Sequence, residues 1–200
     1  MSLAHRLRHA LEHGRRRQPI LIEGDPRDGL TDDGQPVTPA AVLVPIVDRP
    51  SPGVILTVRA DTVRKHAGQI AFPGGRIDPE DDGPVSAALR EAEEEIELPR
   101  NRVDVIGTAD RYRTITGYEV TPVVGVVPPD LPLRPHPHEV AAIFEAPLSY
   151  LLEVQHQVVR TVEWRGQKRC YYEIEWQGRR IWGATAAMIV NLGRRLALSS

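Results

Sequence analysis

The stretch "PVSAALREAEEEIEL", Pro84 to Leu98, constrains the fold more than any other part of the chain. Its apolar residues recur at helical spacing. With Val85 at zero, Ala88, Leu89, Ala92 and Ile96 fall within an arc of roughly 100°. A stripe of that width must be covered by a second structural layer. Glu91, Glu94 and Glu95 share the adjacent arc, whereas Glu93 falls on the opposite flank, towards Arg90 and Glu97. Pro84 suits the first helical turn, and Asp81, Asp82 or Gly83 can cap it.

Three neighbouring glutamates destabilise a helix. Pairs at i, i+3 and i, i+4 repel by a few tenths of a kcal/mol each, and the later half of a helix disfavours anions. On helical spacing, no lysine or arginine sits one turn away on that face. An acidic solvated face is one reading. The other is a socket for a hard divalent cation, which takes carboxylate oxygens together with water and substrate phosphate.

The surroundings of this helix are strand-like. "AAVLVPIVD" and "GVILTVRA" are two apolar runs joined by the turn signal "RPSPG", so they read as paired strands. Pro45 places an edge or a bulge in the first. "GQIAFPGG" is a short strand entering a double glycine. "VDVIGTAD" and "YEVTPVVGVVP" are further strands. "VVRTVEWRGQKRCYYEIEW" reads as a hairpin turning at "RGQK". "MSLAHRLRHALEHG", with Leu3, Leu7 and Leu11 at helical spacing, reads as an amphipathic first helix. "APLSYLLEV" and "GATAAMIVNLGRRLAL" are the remaining helices. Strands and helices alternate, which predicts an α/β chain with helices packed on a sheet. The organisation expected is an N-terminal helix and loop, 1–37, followed by a single domain, 38–200.

Composition limits the function. The chain has 200 residues and a formal net charge of −2, so no global basic field draws nucleic acid. An anionic substrate must therefore be held by local cations or a bound metal. The single cysteine, Cys170, cannot form an internal disulfide. It reads as an inert thiol and suits a reducing, cytoplasmic location. No apolar run reaches the roughly 20 residues of a membrane span, and no partner membrane or nucleic acid is expected. "HPH", carrying His136 and His138, lacks helical spacing and reads as a loop.

"FPGG" followed by "REAEEE" resembles the Nudix hydrolase box: Gly, five residues, Glu, seven residues, then Arg-Glu-aliphatic-x-Glu-Glu-x-Gly-aliphatic. Gly75 opens it here, and Arg90, Glu91, Ala92, Glu94, Glu95 and Leu98 occupy their expected places. The chain departs twice. Its loop is one residue longer, with Asp81 and Asp82 in place of the spaced glutamate, and Glu97 stands where the pattern has glycine. "LTVRADTVRKHAGQIAFPGG", Leu56 to Gly75, further resembles the coenzyme A pyrophosphatase branch of that superfamily. "TGYEVTPVVGVVPPDLP", "HEVAAIFEAPL" and "WGATA" echo it as well.

The resemblance implies a Nudix α/β/α sandwich with a mixed β-sheet between helices. It implies hydrolysis of the diphosphate of CoA or acyl-CoA, giving adenosine 3′,5′-bisphosphate and (acyl-)4′-phosphopantetheine. Glu91, Glu94 and Glu95 would hold Mg²⁺ or Mn²⁺. Glu94 or Glu139 would act as general base, and Arg90 would pair with Asp81 or Asp82 to fix the loop. Arg59, His66, Gly68, Gly74 and Gly75 would meet the substrate, with Arg64 and Lys65 as further phosphate contacts. Trp182 and Tyr118 are candidates for a pantetheine pocket, with core packing as their simpler role. A homodimer is left open. Two other readings stay open: a Nudix enzyme for another nucleoside diphosphate derivative, such as ADP-ribose, NADH or a dinucleotide, and a non-catalytic Nudix-like regulatory module.

Overall fold

The structure is a computed structural model, and it describes residues 2–15, 37–60, 68–114, 116–164 and 167–197. Among these lie four α-helices and eleven strands. The helices are α1 (Leu3–Arg15), α2 (Pro84–Ile96), α3 (Leu148–Leu152) and α4 (Ala184–Ala197). The strands are β1 (Thr38–Val47), β2 (Gly53–Arg59), β3 (Ile70–Ala71), β4 (Gly74–Arg76), β5 (Asp104–Thr108) and β6 (Tyr112–Arg113). They continue with β7 (Tyr118–Val127), β8 (Val140–Pro147), β9 (Val158–Trp164), β10 (Gln167–Trp176) and β11 (Arg179–Trp182).

Eight strands form one sheet, ordered β3-β2-β1-β7-β5, with β4 on β1, β6 on β7 and β8 on β2. The β1–β7 pair is parallel over its whole length and the other pairs are antiparallel, so the sheet is mixed. A smaller antiparallel sheet, β11-β10-β9, packs beside it.

Alternation along β1 builds the layers, because successive side chains leave opposite faces of a sheet. Ala41, Leu43 and Val47 face α2, where they meet Ala87, Ala88, Ala92, Ile96 and Leu98. Ala40, Val44 and Ile46 face the other way, towards α4 and the Leu3, Leu7 and Leu11 stripe of α1. The mixed sheet therefore lies between helices, which is the α/β/α sandwich expected. The first helix is part of that packing.

Pro45 does not mark an edge. β1 is a central strand, bonded to β7 on one side and to β4 and β2 on the other. Leu43 donates its N–H to Pro73 O on the β4 side, so the missing donor of Pro45, two residues on, faces that same side. There β4 ends at Val42 and β2 begins at Ile46. The proline fits a central strand because it falls in the gap between two partners.

β9 and β10 pair antiparallel as the expected hairpin, with Gln167 opposite Trp164; the residues between them, 165–166, lie outside the described residues. Cys170 is exposed on β10. Among the described residues no helix is long and apolar enough to cross a membrane.

Candidate active site

α2 starts at Pro84 with Gly83 as its N-cap. Burial of Ala87, Ala88, Ala92 and Ile96 presses one face onto the sheet, which fixes the helix's rotation. The acidic arc then points at β4. Its members are graded. Glu95 is 4% exposed, Glu91 is half-buried, and Glu94 has a side chain 58% exposed. Glu93 lies on the far flank, 2.7 Å from Arg100 Nε.

The double glycine makes this approach possible. Gly74 donates its N–H to Glu95 Oε2 at 3.1 Å. A Cβ on Gly75 would lie 2.4 Å from Glu91 Oε1, so any larger residue there displaces that carboxylate. β4 thus brings bare backbone to two of the three glutamates.

Arg90 locks the connecting loop to the helix. Its Nε and Nη2 meet the two Asp81 carboxylate oxygens at 3.1 and 2.8 Å. Its Nη2 also donates to Arg76 O, and lies 3.5 Å from Asp78. Of the two acids proposed as its partner, the structure selects Asp81, whose side chain is 4% exposed. The bidentate guanidinium holds the Asp81 carboxyl down at about 2. Asp81 in turn keeps the Arg90 guanidinium above its ordinary value.

The sequence-based picture needs correction on the neutralising charge. Arg90 is not confined to the flank away from the glutamates. Its Nη1 donates to Glu91 Oε1 at 3.0 Å and to Glu94 Oε2 at 3.2 Å. Angles taken at the helix axis missed this because a guanidinium on a long stem reaches across a turn. Asp78 was likewise missed; the crowding of acids in "DPEDD" was its only signal.

Two residues distant in sequence, Arg59 and Glu139, act electrostatically on the trio. Burial pushes the Glu95 carboxyl up to about 7, against the Gly74 N–H and the positive charge of Arg59, with Glu91 and Glu139 pushing in the same direction as burial. Burial likewise raises Glu91, opposed by Arg90 and reinforced by Glu94 and Glu139. Glu139 reaches this position because the segment before β8 is pinned to the end of α2. His136 donates its N–H to Glu95 O at 2.8 Å, and Arg134 to Ile96 O at 3.1 Å. Arg59 Nε is buried without a hydrogen-bond partner among the described residues.

The other expected site residues sort plainly. Gly68, at φ 70°, donates to Arg59 O and closes the β2–β3 connection. Arg64, Lys65 and His66 lie outside the described residues. Tyr118 packs against the core and accepts a hydrogen bond from Arg76 Nη2 at 3.1 Å. Trp182 packs edge-on against Tyr171. His136 and His138 are exposed loop residues.

The donor set fits a hard dication by its chemistry. Glu91 and Glu95 are desolvated, raised in pKa and further burdened by Glu139, and a cation among them would relieve all three. Arg90 Nη1 now supplies part of that charge. Among the described residues, no three such side chains already converge at ligand distance. Glu91 and Glu94 would therefore exchange a guanidinium contact for the ion.

Fold and site together define a Nudix-type hydrolase: a mixed sheet between helices, with a glutamate helix held to a glycine turn by an arginine. A family model for the NUDIX domain matches residues 37–168. The chain belongs to that family. It is similar to the uncharacterized Nudix hydrolase NudL of Cronobacter sakazakii, 48% identical over 159 residues, which cover 80% of this chain and 81% of that one. The protein of the same name from Escherichia coli K12 is 45% identical, covering 80% and 83%. Among solved structures, the Nudix hydrolase RenU of M. smegmatis aligns with a TM-score of 0.49 and 26% identity, over 57% of this chain and 73% of that one. A C. elegans Ap4A hydrolase binary complex aligns with a TM-score of 0.48 and 19% identity, over 55% and 80%.

Proposed function

We propose that this protein hydrolyses the diphosphate of CoA or acyl-CoA, releasing adenosine 3′,5′-bisphosphate and (acyl-)4′-phosphopantetheine. The observation that carries the hydrolytic part is the placement of Glu91 and Glu95 against the Gly74–Gly75 turn, with Glu95 Oε2 accepting from Gly74 N–H. The choice of CoA rests on the resemblance of Leu56–Gly75, with the echoes in "TGYEVTPVVGVVPPDLP", "HEVAAIFEAPL" and "WGATA", to the coenzyme A pyrophosphatase branch.

Glu91, Glu94 and Glu95 would hold Mg²⁺ or Mn²⁺, which supplies charge neutralisation on the diphosphate oxygens. The chain's own residues do the rest. The Asp81–Arg90 clamp orients Glu91 and fixes the loop. The β4 backbone lets the diphosphate approach closely. Arg59, whose buried Nε has no hydrogen-bond partner among the described residues, would take a phosphate oxygen on its guanidinium. Of Glu94 and Glu139, we favour Glu139 as the base for the attacking water. Its charge is felt at Glu91 and Glu95, and no guanidinium contacts it among the described residues, whereas Glu94 is tied to Arg90.

The test is product analysis after incubation with CoA, acyl-CoA, ADP-ribose and NADH in Mg²⁺ or Mn²⁺. CoA or acyl-CoA should give the highest kcat/KM, with adenosine 3′,5′-bisphosphate as product. A strong preference for ADP-ribose or NADH would overturn the CoA assignment. Tight binding without turnover would overturn the enzymatic one. Glu94→Gln and Glu95→Gln should each lower kcat by roughly two orders of magnitude with the fold intact.

A further inference from the structure

We propose that His9 and His13, on the outer face of α1, form a second metal site, specific for a borderline transition-metal dication such as Zn²⁺, Ni²⁺ or Cu²⁺. Burial of Leu3, Leu7 and Leu11 turns the opposite face of α1 to solvent, and His5, His9 and His13 are all exposed there. Histidines four residues apart lie one turn above each other on a helix, which is the spacing by which a helix presents two imidazoles to one ion. The rings of His9 and His13 are in contact, with centroids 4.0 Å apart and planes tilted by 34°.

The tautomer of one ring follows from its hydrogen bond. His13 Nδ1 lies 3.0 Å from the His9 carbonyl oxygen. A carbonyl only accepts, so Nδ1 carries the proton and the neutral ring keeps its lone pair on Nε2. Metal-ligating histidines are held in this way, with one nitrogen donating to a backbone carbonyl and the other facing the ion. The anchored helix supplies the rigidity.

Ligand chemistry separates this site from the carboxylate site. Imidazole favours Zn²⁺, Ni²⁺ and Cu²⁺, whereas carboxylates favour Mg²⁺ and Mn²⁺. The two sites also lie on opposite sides of the main sheet, since α1 packs with α4 and the carboxylates lie on α2. Two imidazoles leave the remaining positions to water, in keeping with the lack of a three-ligand cluster among the described residues.

The test is calorimetric titration of the full-length, chelator-stripped protein with Zn²⁺, and separately Ni²⁺, in saturating Mg²⁺. Wild type should bind one equivalent. His9→Ala and His13→Ala should each weaken binding by at least about tenfold, with metal-free Tm unchanged because exposed helix positions accept alanine. His5→Ala should bind like wild type. Binding that survives both His9→Ala and His13→Ala would overturn the site, as would no binding in excess Mg²⁺. Equal loss in His5→Ala would overturn this pairing.

Discussion

Glu97 stands where the family pattern has glycine, and the structure shows why glycine belongs there. The residue ends α2 in the left-handed region, at φ 53° and ψ 33°. Its N–H bonds Glu93 O at 3.0 Å, and Leu98 N–H reaches Ala92 O at 3.3 Å. Leu98 is then fully buried under the sheet, so the left-handed step cannot relax without unseating a core residue. A side chain in that conformation costs about 1–2 kcal/mol. Glycine returns about 0.4–1 kcal/mol of this through its freer unfolded chain. The carboxylate also sits at the negative end of the helix dipole, worth about 0.3–1 kcal/mol when removed. Glu97→Gly should therefore stabilise the protein by about 1 kcal/mol. For a chain of this size that raises Tm by about 2–4 °C. Urea unfolding at neutral pH, with thermal scans alongside, measures the gain. Glu97→Gln divides it, because glutamine removes the charge and keeps the backbone strain. Glu97→Gly no more stable than wild type would refute the strain argument. Glu97→Gln recovering the whole gain would assign the effect to charge alone.

Gly75→Ala places its Cβ 2.4 Å from Glu91 Oε1; displacing that carboxylate by about 1 Å should lower kcat roughly 10²-fold with a small change in Tm, and an unchanged kcat would show that Glu91 need not be held there. Glu95 has its carboxyl raised from 4.5 to about 7. The folded state then binds more protons than the unfolded one between those values, so metal-free stability should fall as pH rises from about 4.5 to about 7. Glu95→Gln should remove that slope and gain about 2 kcal/mol at pH 8 in chelator; parallel pH–stability curves for the two proteins would contradict the burial argument. Asp81, held at about 2 against an ordinary 3.8, contributes in the opposite sense. Its stabilisation is present above about 3.8 and is lost as pH falls towards about 2, so Asp81→Asn should flatten the acid limb of the stability curve. An acid limb identical to wild type would show that the Arg90 clamp adds nothing.

Much of this arrangement is legible in the residues. The stripe from Val85 to Ile96 sets the rotation of α2, because periodic apolar positions have one favourable side. The same periodicity sets Leu3, Leu7 and Leu11 of α1. Glu95 and Glu91 then follow from angle alone. Contacts made by long side chains are not legible in the same way. The reach of Arg90 Nη1 to Glu91 and Glu94 depends on side-chain conformation, not on position around the axis. Pro45 shows a different limit. Its rule concerns a hydrogen-bond donor, and whether that donor is missed depends on where β4 stops and β2 starts. Those partners come from residues eight and more positions away. Glu139 was suggested by its motif, but its closeness to the trio depends on His136 and Arg134 docking their backbone on the end of α2.

The clamp and the glutamate trio share one guanidinium, whose two edges keep loop order separate from any occupant of the trio. Arg90 meets Asp81 through Nε and Nη2, leaving Nη1 for Glu91 and Glu94. Its two edges are thus assigned to different tasks. The Asp81 edge is buried and bidentate, so it holds the glycine turn whether or not an ion is present. The Nη1 edge faces carboxylates that are half-buried and exposed, and it is the weaker of the two holds. A dication held by Glu91, Glu94 and Glu95 would take the place of Nη1 at those carboxylates, while Nε and Nη2 would keep their hold on Asp81. The same Nη1, bonded to both, offsets the repulsion between Glu91 and Glu94. The conflict created by "REAEEE" is therefore met in part by the arginine that opens the run, which gives Glu91 and Glu94 a cationic partner without any ion.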